Sequence, residues 1–425
     1  MAAQKSIHEN WLGFYPEATV CTAPASWAAS GTWLEHITCD TSGIKQMLIT
    51  DPVASRRAFN LGTRKAIKGL RNCTMAVTLP LHGTGVETAD TVQVAQTHLG
   101  TLLAHCMGGV HRSTRHAVVG GDAVDVELAA VTGLIRGTMI AFELAADPGK
   151  LHPRRIIEIT GAVVTLSEAL PSVPAADDIA HPCIVPYLDS SVLVDAFNGP
   201  STLAWFIKKS KTGTDLLWET VGTVASMKID GLGRGALPSL GLEIMACDFK
   251  TGAADGLVNP APTTFVGNAQ LAMGLDVQMN IGEYGDDTLV SHHMANVSFE
   301  PGFTRTRVET VTEKINRAEG TATYSFAPGD TKMSVTLTPY DNAWYAGLEE
   351  GKEYRLTLYN PGDGSGAGKG WCLHMARAQL ISTPGRADAN ENHAVTLEFK
   401  AMEAEDCVGG SNEDLERSRF TLALF

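Results

Sequence analysis

Within the last 165 or so residues of the chain, three segments place apolar side chains at every second position, a period that few folds accommodate. Met333, Val335 and Leu337 alternate with Ser334, Thr336 and Thr338. Val395, Leu397 and Phe399 alternate with Thr396 and Glu398, and Phe420, Leu422 and Leu424 with Thr421 and Ala423. Successive side chains of a strand point to opposite faces, so this period predicts strands with one apolar face. Antiparallel sheets with one solvated side follow. One short helix fits at about 342–350, between Asp341 and Gly351.

Upstream the pattern changes. Thr74 to Leu79 reads as a strand ending at Pro80. Val92, Ala95, Leu99, Leu102, Leu103 and Cys106 then recur at helical spacing, predicting a helix over 90–107. Asp90 is its expected N-cap and Gly108-Gly109 its stop. Short strands are expected at Asp122–Leu128, Met139–Leu144, Ile156–Ile159 and Ala162–Leu166, with a turn at Gly161. An exit loop follows over Pro171, Pro174 and Ala175 to Asp178, then strands at Val221–Ile229 and Leu240–Phe249. The first 71 residues carry Trp11, Trp27 and Trp33 among Gly, Ser, Thr and Pro with little periodicity. Such a stretch is expected as an extended arm whose aromatic anchors lie on a neighbouring subunit.

The resulting plan is mainly β. It has an N-terminal arm (1–71), a first β domain (72–120 and 186–259), a small inserted β-unit (121–185) and a second β domain (260–425). Each β domain carries a helix on one face. No fixed-period repeat relates the halves, so an internal duplication stays open.

At 425 residues the chain has room for two or three domains. Its formal charge of −14 argues against binding nucleic acid through cationic patches. Met1 to Pro16 shows no continuous apolar stretch, so no secretory signal is expected. Leu128 to Ala146, the most apolar segment, is broken by Arg136 and Glu143 and is not expected to span a membrane. The eight cysteines show no CxxC pairing and are expected as reduced thiols.

The candidate chemical motifs each lack a supporting element. Gly231-x-Gly233-x-x-Ala236 matches a dinucleotide fingerprint, but Pro238 and a strand follow where a helix N-terminus is needed. Gly362 to Gly370 resembles a phosphate loop, yet Asp363 and Gly370 occupy the positions that require Gly and Ser or Thr. Ser365 lacks the glycine spacing of a nucleophile elbow. His105, Cys106, His111 and His116 form the one dense group of metal-ligand types, but adjacent helical residues diverge by about 100°. His292-His293 is isolated. Asp286-Asp287, Glu349-Glu350, Glu403, Glu405-Asp406 and Glu413-Asp414 are expected on solvated surface, and Lys208-Lys209-Ser210-Lys211 in a loop. No residue is assigned as catalytic, cofactor-binding or metal-ligating.

Several segments resemble major tail tube proteins of long-tailed, siphovirus-like bacteriophages. They are Cys73 to Pro80 with the helix ending at Leu102-Leu103 and Gly108-Gly109; Ile159 to Leu166; Val224 to Gly231, running through Leu237-Pro238 to Leu240-Gly241-Leu242-Glu243; Asn296 to Gly302; and Arg419 to Phe425. The resemblance implies a structural virion protein, not an enzyme, needing no cofactor. It would form β-sandwich or barrel subunits that close into hexameric rings, or pseudo-hexameric rings of three chains. Stacked rings would make the conduit for the genome in a tail built in the host cytoplasm. The inserted unit would decorate the outside, and other tail proteins would meet the tube ends. An acidic lumen would let DNA slide without sticking. The alternatives are a β-rich polysaccharide-active surface enzyme, which a pocket around Trp344 and Tyr345 would favour, or another virion part from the neck or capsid exterior.

Overall fold

The computed structural model describes residues 10–18, 22–34, 37–49, 67–83, 98–189, 202–209, 216–232, 238–251, 277–307, 324–339, 341, 343–361, 370–389, 392–407 and 409–425. The chain is mainly β, with closed antiparallel barrels. The first strands are β1 (Asn10–Pro16), β2 (Thr32–Leu34), β3 (Thr38–Asp40), β4 (Ile44–Ile49), β5 (Ile67–Pro80) and β6 (Gly108–Arg112). Next come β7 (His116–Gly121), β8 (Asp125–Leu128), β9 (Met139–Glu143), β10 (Leu151–Thr160), β11 (Val163–Leu166) and β12 (Ile179–His181). The middle of the chain holds β13 (Ile184–Leu188), β14 (Leu203–Lys209), β15 (Leu216–Asp230), β16 (Ser239–Met245) and β17 (Asp248–Thr251). The second half supplies β18 (Gln278–Glu283), β19 (Ser291–Glu300), β20 (Phe303–Arg307), β21 (Tyr324–Pro328), β22 (Lys332–Thr338) and β23 (Glu353–Asn360). It ends with β24 (Trp371–Leu380), β25 (Gly385–Ala389), β26 (Asn392–Met402) and β27 (Thr421–Leu424). Helical segments are α1 (Trp27–Ser30), α2 (His98–Met107), α3 (Ala343–Glu350) and α4 (Glu413–Glu416).

One long sheet runs through both halves in the order β4-β5-β16-β15-β19-β22-β26-β25, with every neighbouring pair antiparallel. Its two halves repeat one strand plan. In each, an edge strand pairs with a strand that leads to a helix, a two-stranded hairpin follows, and a second hairpin returns to the strand before the helix. That strand is β5 before α2 and β22 before α3. The first hairpin is β6–β13 or β23–β24, and the returning one is β15–β16 or β25–β26. Residues match as well. Met75-x-Val77-Thr78-Leu79 in β5 corresponds to Met333-x-Val335-Thr336-Leu337 in β22. Val77 opposes Leu242 as Val335 opposes Leu397, and Leu242-Glu243 corresponds to Leu397-Glu398. The spacing between equivalents varies along the chain because the first half holds an insertion, so no fixed period appears in the sequence.

That insertion is a closed six-stranded barrel in the order β10-β11-β8-β7-β12-β9. It starts at His116, five residues ahead of the expected boundary, and hangs on the β6–β13 hairpin. Its neck is closed by Ser113 N–H donating to the Cys183 carbonyl at 3.0 Å and Cys183 N–H to Ser113 Oγ at 2.9 Å. Gly161, at φ 64°, makes the β10–β11 turn in a left-handed conformation that favours glycine.

The predicted helix is seen from His98, with Leu99, Leu102, Leu103 and Cys106 buried, and it stops at Met107 before Gly108 at φ 96°. Its earlier turns and the Asp90 cap lie outside the described residues. In α3, Ala343 N–H donates to Asp341 Oδ1 at 2.9 Å, and Gly351 at φ 68° ends the helix. One apolar core spans the expected boundary at 259/260, with Val77, Leu242 and Ile229 of the first half beside Phe299, Val335 and Leu397 of the second.

Three expectations are corrected. Among the described residues, the first 71 do not form an arm: β1 lies between β14 and β2, and Leu12, Phe14, Trp27 and Trp33 are buried within the same chain. Trp27 Nε1–H donates to Glu219 Oε2 at 2.8 Å, and the Trp33 ring covers Gly13, where a Cβ would lie 3.0 Å from it. Lys208 and Lys209 belong to strand β14, not to a loop, whereas Ser210 and Lys211 lie outside the described residues. Strand β27 has no solvated side, since Thr421 and Ala423 are as buried as Leu422 and Leu424. Its second face is covered by the inserted barrel, through Ala423 and Phe425 against Met139, Ala141 and Leu151.

Candidate assembly edges and the charge seam

The inserted barrel is fixed to the second half by buried charge. Adjacent strand residues point to opposite faces, so Arg154 and Arg155 of β10 reach two different partners. Arg154 Nη1 lies 3.3 Å from Glu168 Oε1, and its Nε and Nη2 donate to the Ala169 carbonyl at 3.0 Å. Glu168 also accepts from Arg355 Nε of β23 at 3.1 Å and from Asn280 Nδ2 of β18 at 3.1 Å. Arg355 donates further to the Ser167 carbonyl and to the Asp286 carbonyl, the latter at 2.6 Å. All of Arg154, Glu168 and Arg355 are at most 3% exposed. Burial pulls Arg355 below its ordinary range while Glu168 opposes that fall. On the other face, Arg155 Nη1 donates to both oxygens of Asp406 at 2.6 and 2.7 Å, and Nη2 donates to the Glu416 carbonyl at 2.7 Å. Backbone bonds from Leu151 to Pro361 (2.7 Å) and from Ala169 to Asp287 (2.7 Å) complete the seam. Desolvated charges stay only where such partners compensate them.

The sequence treats Asp406 and Asp286 as solvated surface. Both are exposed as expected, but Asp406 also pairs with Arg155, and the Asp286 carbonyl accepts from Arg355. The missed signal is the adjacent arginine pair directly ahead of Ile156-Ile157, in residues 151–155, which precede the predicted strand start.

The residue types that invite metal or catalytic readings are not brought together. Cys106 packs in the core, His111 Nε2 meets the Gly133 carbonyl at 3.0 Å, and His116 Nε2 meets Thr114 Oγ1 at 3.0 Å. His292 lies with its ring 5.6 Å from that of Trp344. No cluster of three or more His, Cys, Asp or Glu able to hold a metal occurs among the described residues. Gly231, at φ 72°, sits in the β15–β16 hairpin rather than before a helix, while Gly233 and Ala236 lie outside the described residues. Gly362 to Lys369 also lie outside them, bridging the β23–β24 hairpin. Trp344 is 9% exposed and packs on Tyr354 and Phe399, and the Tyr345 hydroxyl donates to the Pro384 carbonyl at 2.6 Å. Neither offers the open aromatic platform of a sugar-binding cleft. The seven described cysteines form no disulfide, and no described helix is long and apolar enough to cross a membrane.

The long sheet is the feature with reach beyond the chain. Its core face is apolar and covered, and its other face is solvent-facing and lined by short polar groups such as Thr78, Ser226, Ser298, Ser334 and Thr336. The described charges on this face are nearly balanced. Asp40, Asp230, Glu243, Glu300 and Glu398 stand against Lys45, Lys228, Lys332 and Lys400. Lys228 pairs with Asp230 at 3.0 Å and Lys332 with Glu398 at 3.5 Å. The two repeats join edge to edge inside the chain, where Ile229 of β15 opposes Phe299 of β19. At the far ends of the same sheet lie β3 and β4, held by β5, and β25, held by β26.

The chain matches no protein-family model and no curated protein.

Proposed function

We propose that this chain is the repeating subunit of a stacked-ring tube, a major tail tube protein of the long-tailed phage type, with no catalytic role. The observation that carries this reading is the β15–β19 joint. A sheet that already continues from one repeat into the next within a chain can continue from one chain to another by the same means. A heterologous contact of that kind closes into a ring when the rotation allows, and closure removes the edge hazard of a long sheet. Three chains would supply six repeats, so hexagonal packing is met without six chains. The seam holds the inserted barrel rigidly against the second half, as a fixture on the outer wall requires. The solvent-facing side of the long sheet would line the bore.

That wall supports a modified account of how DNA passes. Its acids exceed its bases only narrowly, and three of its four lysines are already paired. Duplex DNA would slide because few cations are free to hold phosphates, rather than through strong repulsion. Burial of Trp344 in the core speaks for this reading over a polysaccharide-active enzyme.

Negative-stain microscopy of the purified full chain, with mass photometry alongside, tests the proposal. Rings or striated tubes with a central hole, built from multiples of three chains, are expected. A folded protein that stays monomeric at the highest concentration reached would overturn it.

A further inference from the structure

The seam under the inserted barrel buries a histidine among guanidiniums. We propose that this seam is an acid-operated latch, in which protonation of His374 undocks the inserted barrel, still folded, from the second half of the chain. The proposal rests on the fold of a single chain and is independent of the ring assembly above.

The geometry starts on the sheet. His374 of β24 is opposed by Thr357 of β23 on one side and by Thr421 of β27 on the other. Cys372 and Ala423, two residues along the same strands and so on the same face, pack against Met139, Ala141 and Leu151 of the barrel. The barrel therefore covers this face, and His374 is 1% exposed. Its Nδ1 lies 3.0 Å from Thr357 Oγ1. Its Nε2 and the facing Thr421 Oγ1 are buried with no hydrogen-bond partner among the described residues. A charge formed on this ring would have no acceptor to compensate it.

The charges around the ring are unbalanced as well. Arg155 and Arg154 reach it from β10 of the barrel, and Arg355 from β23. Against them stand Glu168, shared by Arg154 and Arg355, and Asp406, held by Arg155. Further along β24, Arg377 is matched by Glu353 and Glu405. The neighbouring Cys372 thiol stays neutral, because burial raises it well above its ordinary range. Three guanidiniums thus meet two carboxylates before the histidine titrates, and an imidazolium would add to that excess. Burial first, and then the three arginines, hold the ring well below its ordinary value. Undocking withdraws Arg154 and Arg155 and admits water, so the freed ring titrates near about 6.5. The docked state favours the neutral ring. The latch is therefore closed above that pH and weakens as pH falls below it.

The barrel can leave intact. Its strands close on themselves around a core of its own, with Val126, Phe142, Ile156 and Val164, distinct from the cluster that docks it. Residues 113–115 and 182–183 join it to β6 and β13 and would keep it tethered.

The full-length protein is treated with a thiol-reactive disulfide reagent at pH 7.5 and pH 5, and labelling at each cysteine is read by peptide mass mapping. Each rate is divided by that of the urea-unfolded chain at the same pH, which cancels intrinsic reactivity. Cys372, buried under the barrel, should label roughly 30-fold faster at pH 5 than at pH 7.5, the gain from one histidine freed to charge near about 6.5. Cys106, buried in the main core, should stay protected. His374→Gln can still bond Thr357 but cannot charge, and it should lose that gain. His374→Asn takes its place if the first variant does not fold. His152 and His181 remain in every protein compared, so the difference reports His374 alone. Equal protection of Cys372 at both pH values would overturn the latch. So would exposure of Cys106 in step with Cys372, or an undiminished acid response in the variants. Because each readout lies within one chain, a failure to form rings leaves this test intact.

Discussion

Glu168 compensates two guanidiniums at once, and its loss would leave both buried. Glu168→Gln keeps the shape and removes the charge, and it should cost about 3–5 kcal/mol, read from the urea midpoint of the unassembled subunit. Glu398→Gln breaks the exposed contact with Lys332 and should change stability by under about 1 kcal/mol. His152 supplies a pH signature. Burial, reinforced by the nearby Arg154, pulls its ring down to about 4. The fold thus favours the neutral ring, so its share of stability is complete above the unfolded value of about 6.5 and drains away as pH falls from there towards 4. Thermal midpoints should drop across that window, and His152→Gln should flatten part of the drop. His181 and His374, lowered by burial in the same direction, keep the remainder. A midpoint independent of pH over this window would contradict the assignment. None of this chemistry was legible beforehand. A carboxylate between Ser167 and Ala169, as Glu168 is, reads as surface until the fold brings Arg355 to it from 187 residues away.

Where strands have one wet face, their alternation was readable and their burial follows it, as in β22 and β26. Some strands covered on both faces escaped, although β9, with Met139 to Phe142 all buried, was predicted. Leu12, Gly13 and Phe14 of β1 are all buried, so β1 shows no alternation and the first 71 residues read as irregular. The same cause hid the second buried face of β27. The tryptophans consequently change role. Trp33→Ala should remove about 3–5 kcal/mol from folding, seen as a lower melting temperature of the unassembled subunit. A variant that melts like wild type yet fails to assemble would restore the neighbouring-subunit anchor. Helix ends were legible where glycine marks them, at Gly108 and Gly351, because both adopt positive φ.

At the scale of the molecule, the two-half plan could be suspected but not aligned. The matching Met-x-Val-Thr-Leu segments are short, and the inserted barrel with β14 displaces everything after the first hairpin. Only strand pairing restores the correspondence. The near-neutral sheet face carries a prediction of its own. Assembled tubes should bind duplex DNA weakly, with a shallow dependence on salt in a filter or fluorescence assay. A steep dependence, as many lysine–phosphate contacts produce, would show that the bore is lined by some other surface. The barrel on the β6–β13 hairpin belongs to one repeat and has no equivalent on β23–β24. In a ring of three chains, the exterior would therefore alternate between bossed and smooth sectors. A sleeve needing six identical footholds would be obstructed at every second one, which suits a naked, flexible tail rather than a contracting one.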